Sequence, residues 1–206
     1  MSNATYGGSF MYHMAPNLIH LGFVVGLDYK NPYLNPYEEF QKWKTHKEIK
    51  KFLQGGTCIK YGARALNEGG YFSVPKLAFP GGLVVGCSAG FLNVAKVKGA
   101  HNAIESGIEA AESLYYKLNY DDCPPGTQID EYCKKIHNGP IMKELFKTRN
   151  FHGGFKFGNW AGLTLGWLSD KFDGKEPWDI KHSKKDCAAT GRKEDFVVSC
   201  PLRFTN

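Results

Sequence analysis

Apolar and polar residues follow different rhythms in different parts of this chain, and each rhythm predicts an element. From Gly7 to Leu27 they alternate and then become continuously apolar, GGSFMYHMAPNLIHLGFVVGL, with a break at Ala15, Pro16 and Asn17. A period of two residues interrupted by a proline turn predicts a β-hairpin, with Phe10 and Tyr12 on one face and Leu21, Phe23 and Val25 lining one side of the partner strand. The NPYLNP stretch at Asn31–Pro36 breaks the chain, and Tyr37–Leu53 is then predicted as a helix that Gly55 and Gly56 stop. Cys58–Leu66 reads as extended and leads to a turn at Asn67, Glu68, Gly69 and Gly70. Leu83, Val84 and Val85, bounded by Gly81/Gly82 and Gly86, predict a short strand. From Ala103 onward Ile104, Ile108, Ala111, Leu114 and Leu118 recur every three or four residues, which predicts a helix with this face against a sheet. Ile129–Asn150 keeps helical spacing interrupted at Gly139 and Pro140, and the last forty residues, polar and poorly periodic, predict a loop or tail. This order indicates an α+β fold or a piece of an α/β fold, rather than a bundle or a sandwich.

Composition narrows the function. With 206 residues and 42% hydrophobic content, the chain is long enough for one core or two small ones. The net charge of +6 favours an anionic membrane surface or an acidic partner. No nucleic-acid partner is expected, because the basic residues are dispersed except for Lys42, Lys44, Lys47, Lys50 and Lys51. That run is interleaved with Phe40, Trp43, Ile49, Phe52 and Leu53 and reads as the solvated face of an amphipathic helix. Cysteines at 58, 87, 123, 133, 187 and 200 form no C-x-x-C pair, so no metal or cluster site is expected, and their scatter fits reduced thiols. No signal or transit peptide is visible at the amino terminus. Phe155–Leu168, FKFGNWAGLTLGWL, is too short to span a bilayer, and it serves equally as a glycine-rich core segment or as an interfacial anchor.

The segment with the most chemistry is Phe79–Ala111, FPGGLVVGCSAGFLNVAKVKGAHNAIESGIEAA. A strand that delivers glycines to a helix N-terminus lets a phosphate or an electron-rich ring reach backbone N–H groups and the positive end of the helix dipole. The same glycines also suit an ordinary strand-to-helix connection, and spacing alone does not choose. No G-x-G-x-x-G dinucleotide fingerprint occurs anywhere in the chain.

Four stretches together, TYGGSFMYHM (Thr5–Met14), LGFVVGLDYKNPYLNPYEEFQKWK (Leu21–Lys44), YGARALNEGGYFSVPKLAFPGG (Tyr61–Gly82) and GCSAGFLNVAKVKGAHNAIESGIEAAES (Gly86–Ser113), resemble the electron transfer flavoprotein-ubiquinone oxidoreductase family. The resemblance covers about residues 5–182, ending in EPWDIKH (Glu176–His182), with a weaker KDC at Lys185–Cys187. It implies the middle portion of a monotopic enzyme on the matrix side of the mitochondrial inner membrane. Such an enzyme carries FAD and a 4Fe-4S cluster and passes electrons from reduced electron transfer flavoprotein to ubiquinone. The implied fold is part of an α/β FAD-dependent oxidoreductase. Residues 5–75 would be a ubiquinone-binding segment, 76–120 a strand, loop and helix forming one wall of the FAD domain, 121–182 a helical region and 183–206 a divergent tail. The amino-terminal FAD fingerprint and the carboxy-terminal cluster ligands are not in this sequence, so the resemblance implies a partial FAD site and no metal ligands here.

Carried over to this sequence, the resemblance implies ubiquinone contacts at Gly7 and Gly8, where absent side chains leave the backbone open to a flat headgroup. It implies flavin contacts at Ser88, Ala89, Gly90, Asn93, Gly99 and Ala100, with Asn67 as a further flavin-side residue that serves equally as a turn former. Where the family commonly has Thr or Ser, this chain has Ala100, which removes a hydroxyl able to tune the flavin potential. Residues 151–169 match the position of a membrane-embedded helix, implying membrane contacts at Phe155, Phe157, Trp160, Leu163, Leu165, Trp167 and Leu168. Lys156 and Asn159 make this version more polar. No side chain is expected to act as a catalytic acid, base or nucleophile, because electron transfer needs only distance, potential and access. The alternatives are a non-catalytic membrane-associating fragment or truncated gene product, and a complete flavin reductase-like enzyme.

Overall fold

The structure, a computed structural model, describes residues 5–121, 123–181 and 186–196. It separates into two compact units, Met1–Gly62 with Ser183–Asn206, and Ala63–His182. Helices and small antiparallel sheets make the class α+β.

In the first unit, strands β1 (Gly7–Met14) and β2 (Leu18–Val25) form the expected antiparallel hairpin around Ala15–Asn17. Its register pairs Gly8 with Val24, Phe10 with Gly22 and Tyr12 with His20, so these residues share one face. The opposite face carries Phe23, which lies against Phe40 and Trp43 with ring centroids 6.2 and 6.1 Å away. Both aromatic rings belong to α1 (Pro36–Lys44).

The single helix expected over Tyr37–Leu53 is in fact two, α1 and α2 (Lys47–Leu53). Thr45 and His46 cause the break. The Thr45 hydroxyl donates to the Lys42 carbonyl at 2.7 Å, and His46 Nδ1 accepts from the Glu48 N–H at 3.3 Å, capping a second helix start. Cys58–Leu66, expected to be extended, forms no strand or helix. Residues 186–196 belong to this unit, where the Gly191 N–H donates to the Lys30 carbonyl at 2.7 Å. The residues beyond 196 lie outside the described part.

The second unit holds the core: Leu77, Ala89, Phe91, Ala110, Ile129, Tyr132, Ile136, Ile141, Met142 and Leu145. Strands β3 (Ala78–Phe79) and β4 (Gly82–Leu83) make a minimal hairpin through Pro80 and Gly81, so the expected Leu83–Val85 strand shortens to one of its residues. A 3-10 turn over Gly86–Ala89 leads to α3 (Ala100–Tyr120). Helices α4 (Asp130–Asn138) and α5 (Pro140–Lys147) divide at Gly139–Pro140, as the proline predicted. Buried Tyr132 of α4 donates its hydroxyl to the Val84 carbonyl at 2.9 Å, and desolvation pushes its pKa up to about 12.

A short turn α6 (Phe151–Gly154) precedes α7 (Asn159–Phe172), so the tail expected over the last forty residues is helical up to Phe172. The segment after α7 is also fixed. Buried Arg149 donates to the carbonyls of Gly174 and Glu176 at 2.8 and 2.9 Å and to Asp179 Oδ1 at 2.7 Å. Asn150 donates to the Trp178 carbonyl and accepts from the Ile180 N–H, and buried Glu176 accepts from Asn150 and Ser169. A long polar stretch with no apolar period is thus ordered by side chains that replace its backbone's water.

Candidate functional site

The loop between β4 and α3 is built on close approach. Gly90 lies at φ +78, a left-handed conformation that costs glycine nothing, and a Cβ there would stand 3.0 Å from Asn67 Nδ2. Asn67 is itself fixed by the Gly69 N–H, which donates to its Oδ1 at 3.1 Å. The structure therefore brings together Asn67 and Gly90, 23 positions apart. A Cβ on Gly99 would meet Leu92 Cδ1 at 2.8 Å, so this glycine lets the helix start lie directly on the loop.

The placement of α3 inverts the expected packing. Its buried residues are Asn102, Ser106, Ala110 and Ser113, whereas Ile104, Ile108, Ala111, Leu114 and Leu118 are exposed. The reason is polar. Ser106 Oγ accepts from the buried Gly86 N–H at 2.9 Å, and Asn102 Nδ2 donates to the Phe91 carbonyl at 2.9 Å. Small polar side chains satisfy the loop backbone at short range, which bulky apolar ones on that face would prevent.

At the N-terminus of α3 no side chain caps the first turn, and that turn contains no acidic residue. Its N–H groups keep their donor capacity and their positive dipole end. Ser88 and Ala100 are exposed, Gly99 is half-buried, and Ala89 and Asn93 are fully buried. Asn93 bonds at both ends of its amide: its Oδ1 accepts from the Lys96 N–H at 3.1 Å and its Nδ2 donates to Glu144 Oε1 at 2.7 Å.

Glu144 of α5 was not anticipated from sequence. It also accepts from His101 Nε2 at 2.8 Å and Lys96 Nζ at 3.2 Å. Partial burial works to raise its pKa, but the hydrogen bonds from His101, Asn93 and Lys96 outweigh it and hold the carboxyl at about 2. One carboxylate thus ties the 93–98 loop and the start of α3 to α5. The sequence carried no signal for it, since Glu144 lies 51 positions from Asn93 on a helix with ordinary amphipathic spacing.

In the first unit, Gly7 and Gly8 are exposed, and nothing lies within 4 Å of the place where a Cβ on Gly8 would stand. Gly8 sits at one end of the hairpin face that bears Phe10, Tyr12, Met14 and Val24, all exposed. The Phe10 ring lies across Gly22, where a Cβ would fall 2.0 Å from it. An open backbone beside an aromatic surface suits a flat apolar ring.

Along residues 155–168 the expected membrane contacts divide. Phe157, Trp160, Leu163 and Trp167 are exposed, whereas Phe155, Leu165 and Leu168 are partly buried, the Phe155 ring lying on Gly162. No helix among the described residues is long and apolar enough to cross a membrane. Among them, no three His, Cys, Asp or Glu side chains come together as metal ligands, and Cys58, Cys87, Cys123, Cys133 and Cys187 are free thiols.

Residues 1–66, which hold this hairpin and the two helices after it, match the family model for the ubiquinone-binding region of electron transfer flavoprotein-ubiquinone oxidoreductase. Similarity continues well past that region. The chain is 49% identical over 195 residues to the mitochondrial electron transfer flavoprotein-ubiquinone oxidoreductase of Sus scrofa, covering 88% of this chain and 31% of that protein. It is 52% identical over 192 residues to the Caenorhabditis elegans protein of the same name, covering 88% and 32%, and 48% over 187 residues to that of Arabidopsis thaliana, covering 90% and 29%. The chain is similar to these relatives over nearly nine tenths of its own length and spans about three tenths of theirs.

Proposed function

We propose that this chain forms the quinone-binding region and one wall of the flavin site of an oxidoreductase that moves electrons from reduced electron transfer flavoprotein to ubiquinone, at the matrix face of the mitochondrial inner membrane. The observation that carries the reading is the opening at Gly8 beside an exposed aromatic face, inside the stretch that matches the ubiquinone-binding model. Gly7 and Gly8 present backbone to the headgroup, and Phe10 and Tyr12 offer ring faces to it.

The loop residues fit one wall of a flavin site. The uncapped N–H groups at the start of α3 and the exposed Ser88 are the donors, and Gly90 and Gly99 allow the close approach. FAD, when bound, supplies the capacity to accept and release electrons singly or in pairs, and a helix N-terminus beside it favours its more negative forms. Asn93 acts through the loop, which it shapes by bonding to Lys96 and Glu144. The exposed row of Phe157, Trp160, Leu163 and Trp167 supports contact with a membrane surface. It equally supports a second reading, in which the chain associates with membranes without catalysis.

Titration with a short-tailed ubiquinone, followed by quenching of tryptophan fluorescence, tests the quinone assignment. Saturable binding that the Gly8→Leu variant loses is the expected result. Non-saturable partitioning, equal in both proteins, would leave the second reading standing.

A further inference from the structure

Glu144 occupies a place that core packing does not explain. Ile141 and Leu145, four positions apart on α5, are buried and anchor that helix in the core. Glu144 sits at the edge of the same face and reaches across to other elements. It takes hydrogen bonds from Asn93 and Lys96 of the 93–98 turn and from His101 in the first turn of α3. The turn it holds is strained. Val97 lies at φ +54, a left-handed conformation that a β-branched residue avoids, and it is 83% exposed, so burial of its side chain does not hold it there. The turn is closed instead by backbone bonds between Asn93 and Lys98 at 2.9 and 3.1 Å, with the Asn93 amide locked between the Lys96 N–H and Glu144. A strained turn and an uncapped helix start, joined through Gly99, therefore depend on one carboxylate from a third element.

Resting on the reading of this loop as one wall of a flavin site, we propose that Glu144 is a positioning residue for the flavin. Acting through His101 and Asn93, it fixes the first turn of α3 so that the N–H groups there meet the flavin in one arrangement. Glu144 does not touch the flavin; it sets the alignment of the groups that do. Its own charge is met by the Lys96 ammonium at 3.2 Å, so what it supplies is alignment rather than a field.

A chimera in which this chain replaces the matched stretch of the Sus scrofa relative tests it, with FAD affinity read by reconstitution of the apoprotein and the flavin midpoint potential by dye equilibration. Glu144→Gln, which keeps one acceptor, is expected to lose about fivefold in FAD affinity and Glu144→Leu about twentyfold. Both move the potential to more negative values, because the reduced flavin gains most from aligned N–H groups. Adding His101→Ala to Glu144→Leu changes neither quantity further, since both act along one path. Circular dichroism identifies a variant that fails to fold, and Glu144→Gln carries the test where Glu144→Leu does. Ala100→Trp, which adds only bulk on the exposed flavin side of the helix start, separates the positioning role from the reading beneath it. Loss of FAD in Ala100→Trp beside wild-type affinity and potential in the Glu144 variants would overturn the positioning role alone. A shift to more positive potential would also overturn it, because that is the mark of a carboxylate acting by its charge. Wild-type FAD affinity in Ala100→Trp would overturn the flavin wall and the positioning role together.

Discussion

The hydroxyl of Ser106 accepts a hydrogen bond from the N–H of Gly86 at 2.9 Å and donates one to the Ala103 carbonyl at the same distance. A residue in the second turn of α3 thereby completes the backbone of the loop that precedes the helix. Replacing it with alanine leaves a buried N–H without a partner, which costs about 1–3 kcal/mol. Chemical denaturation of Ser106→Ala is expected to show that loss, and Ser106→Val a larger one, because the added methyl groups press on the loop.

Glu144 makes the stability of the second unit depend on acid. Its folded pKa of about 2 lies well below the ordinary carboxylate value of 4.5. A depressed carboxylate contributes stability that is fully present above its unfolded pKa and lost as pH falls through the folded value. The contribution, on the order of 2–3 kcal/mol for this partly buried group, is therefore intact at pH 6 and declines between about pH 4.5 and pH 2. Urea midpoints measured across that window are expected to fall more steeply for the wild type than for Glu144→Gln, which lacks the titrating group.

Arg149 is the keystone of residues 174–179. Removing its guanidinium strands the Glu176 carboxylate, which lies 3.6 Å away and is itself buried, together with two carbonyls. Loss of one partner of a buried ion pair costs about 3–5 kcal/mol. Arg149→Ala is expected to lose at least that much and to expose the 174–181 segment to proteolysis first. Arg149→Lys recovers only part of the loss, because an ammonium cannot reach Asp179 and the carbonyls at once.

The exposed row on α7 predicts an effect on membranes without one on folding. Trp160→Ser combined with Trp167→Ser is expected to reduce co-sedimentation with anionic vesicles several-fold while the melting temperature stays within a degree or two, because neither side chain is buried.

Much of the fold could be read from the sequence, and what could not has identifiable causes. The hairpin follows from alternation, and the α4–α5 break from Pro140, because period and proline geometry act locally. The orientation of α3 is the reverse of what its apolar spacing predicts. The near side belongs to Ser106 and Asn102, whose importance depends on backbone groups 20 and 11 positions away. Thr45 and His46 divided a helix through capping, which periodicity does not register. In the candidate site, spacing gives no sign that Asn67 meets Gly90, and Glu144 carries no local signal because its meaning lies in three partners from other elements.

The central claim is that Gly8 opens a quinone site, while other residues of the chain form its flavin wall. Its most direct test uses a chimera in which this chain replaces the matched stretch of the Sus scrofa relative, assayed in two steps: flavin reduction by reduced electron transfer flavoprotein, and ubiquinone reduction. The account predicts that Gly8→Leu leaves the first step unchanged and slows the second at least tenfold. Equal slowing of both steps, or of neither, would contradict it.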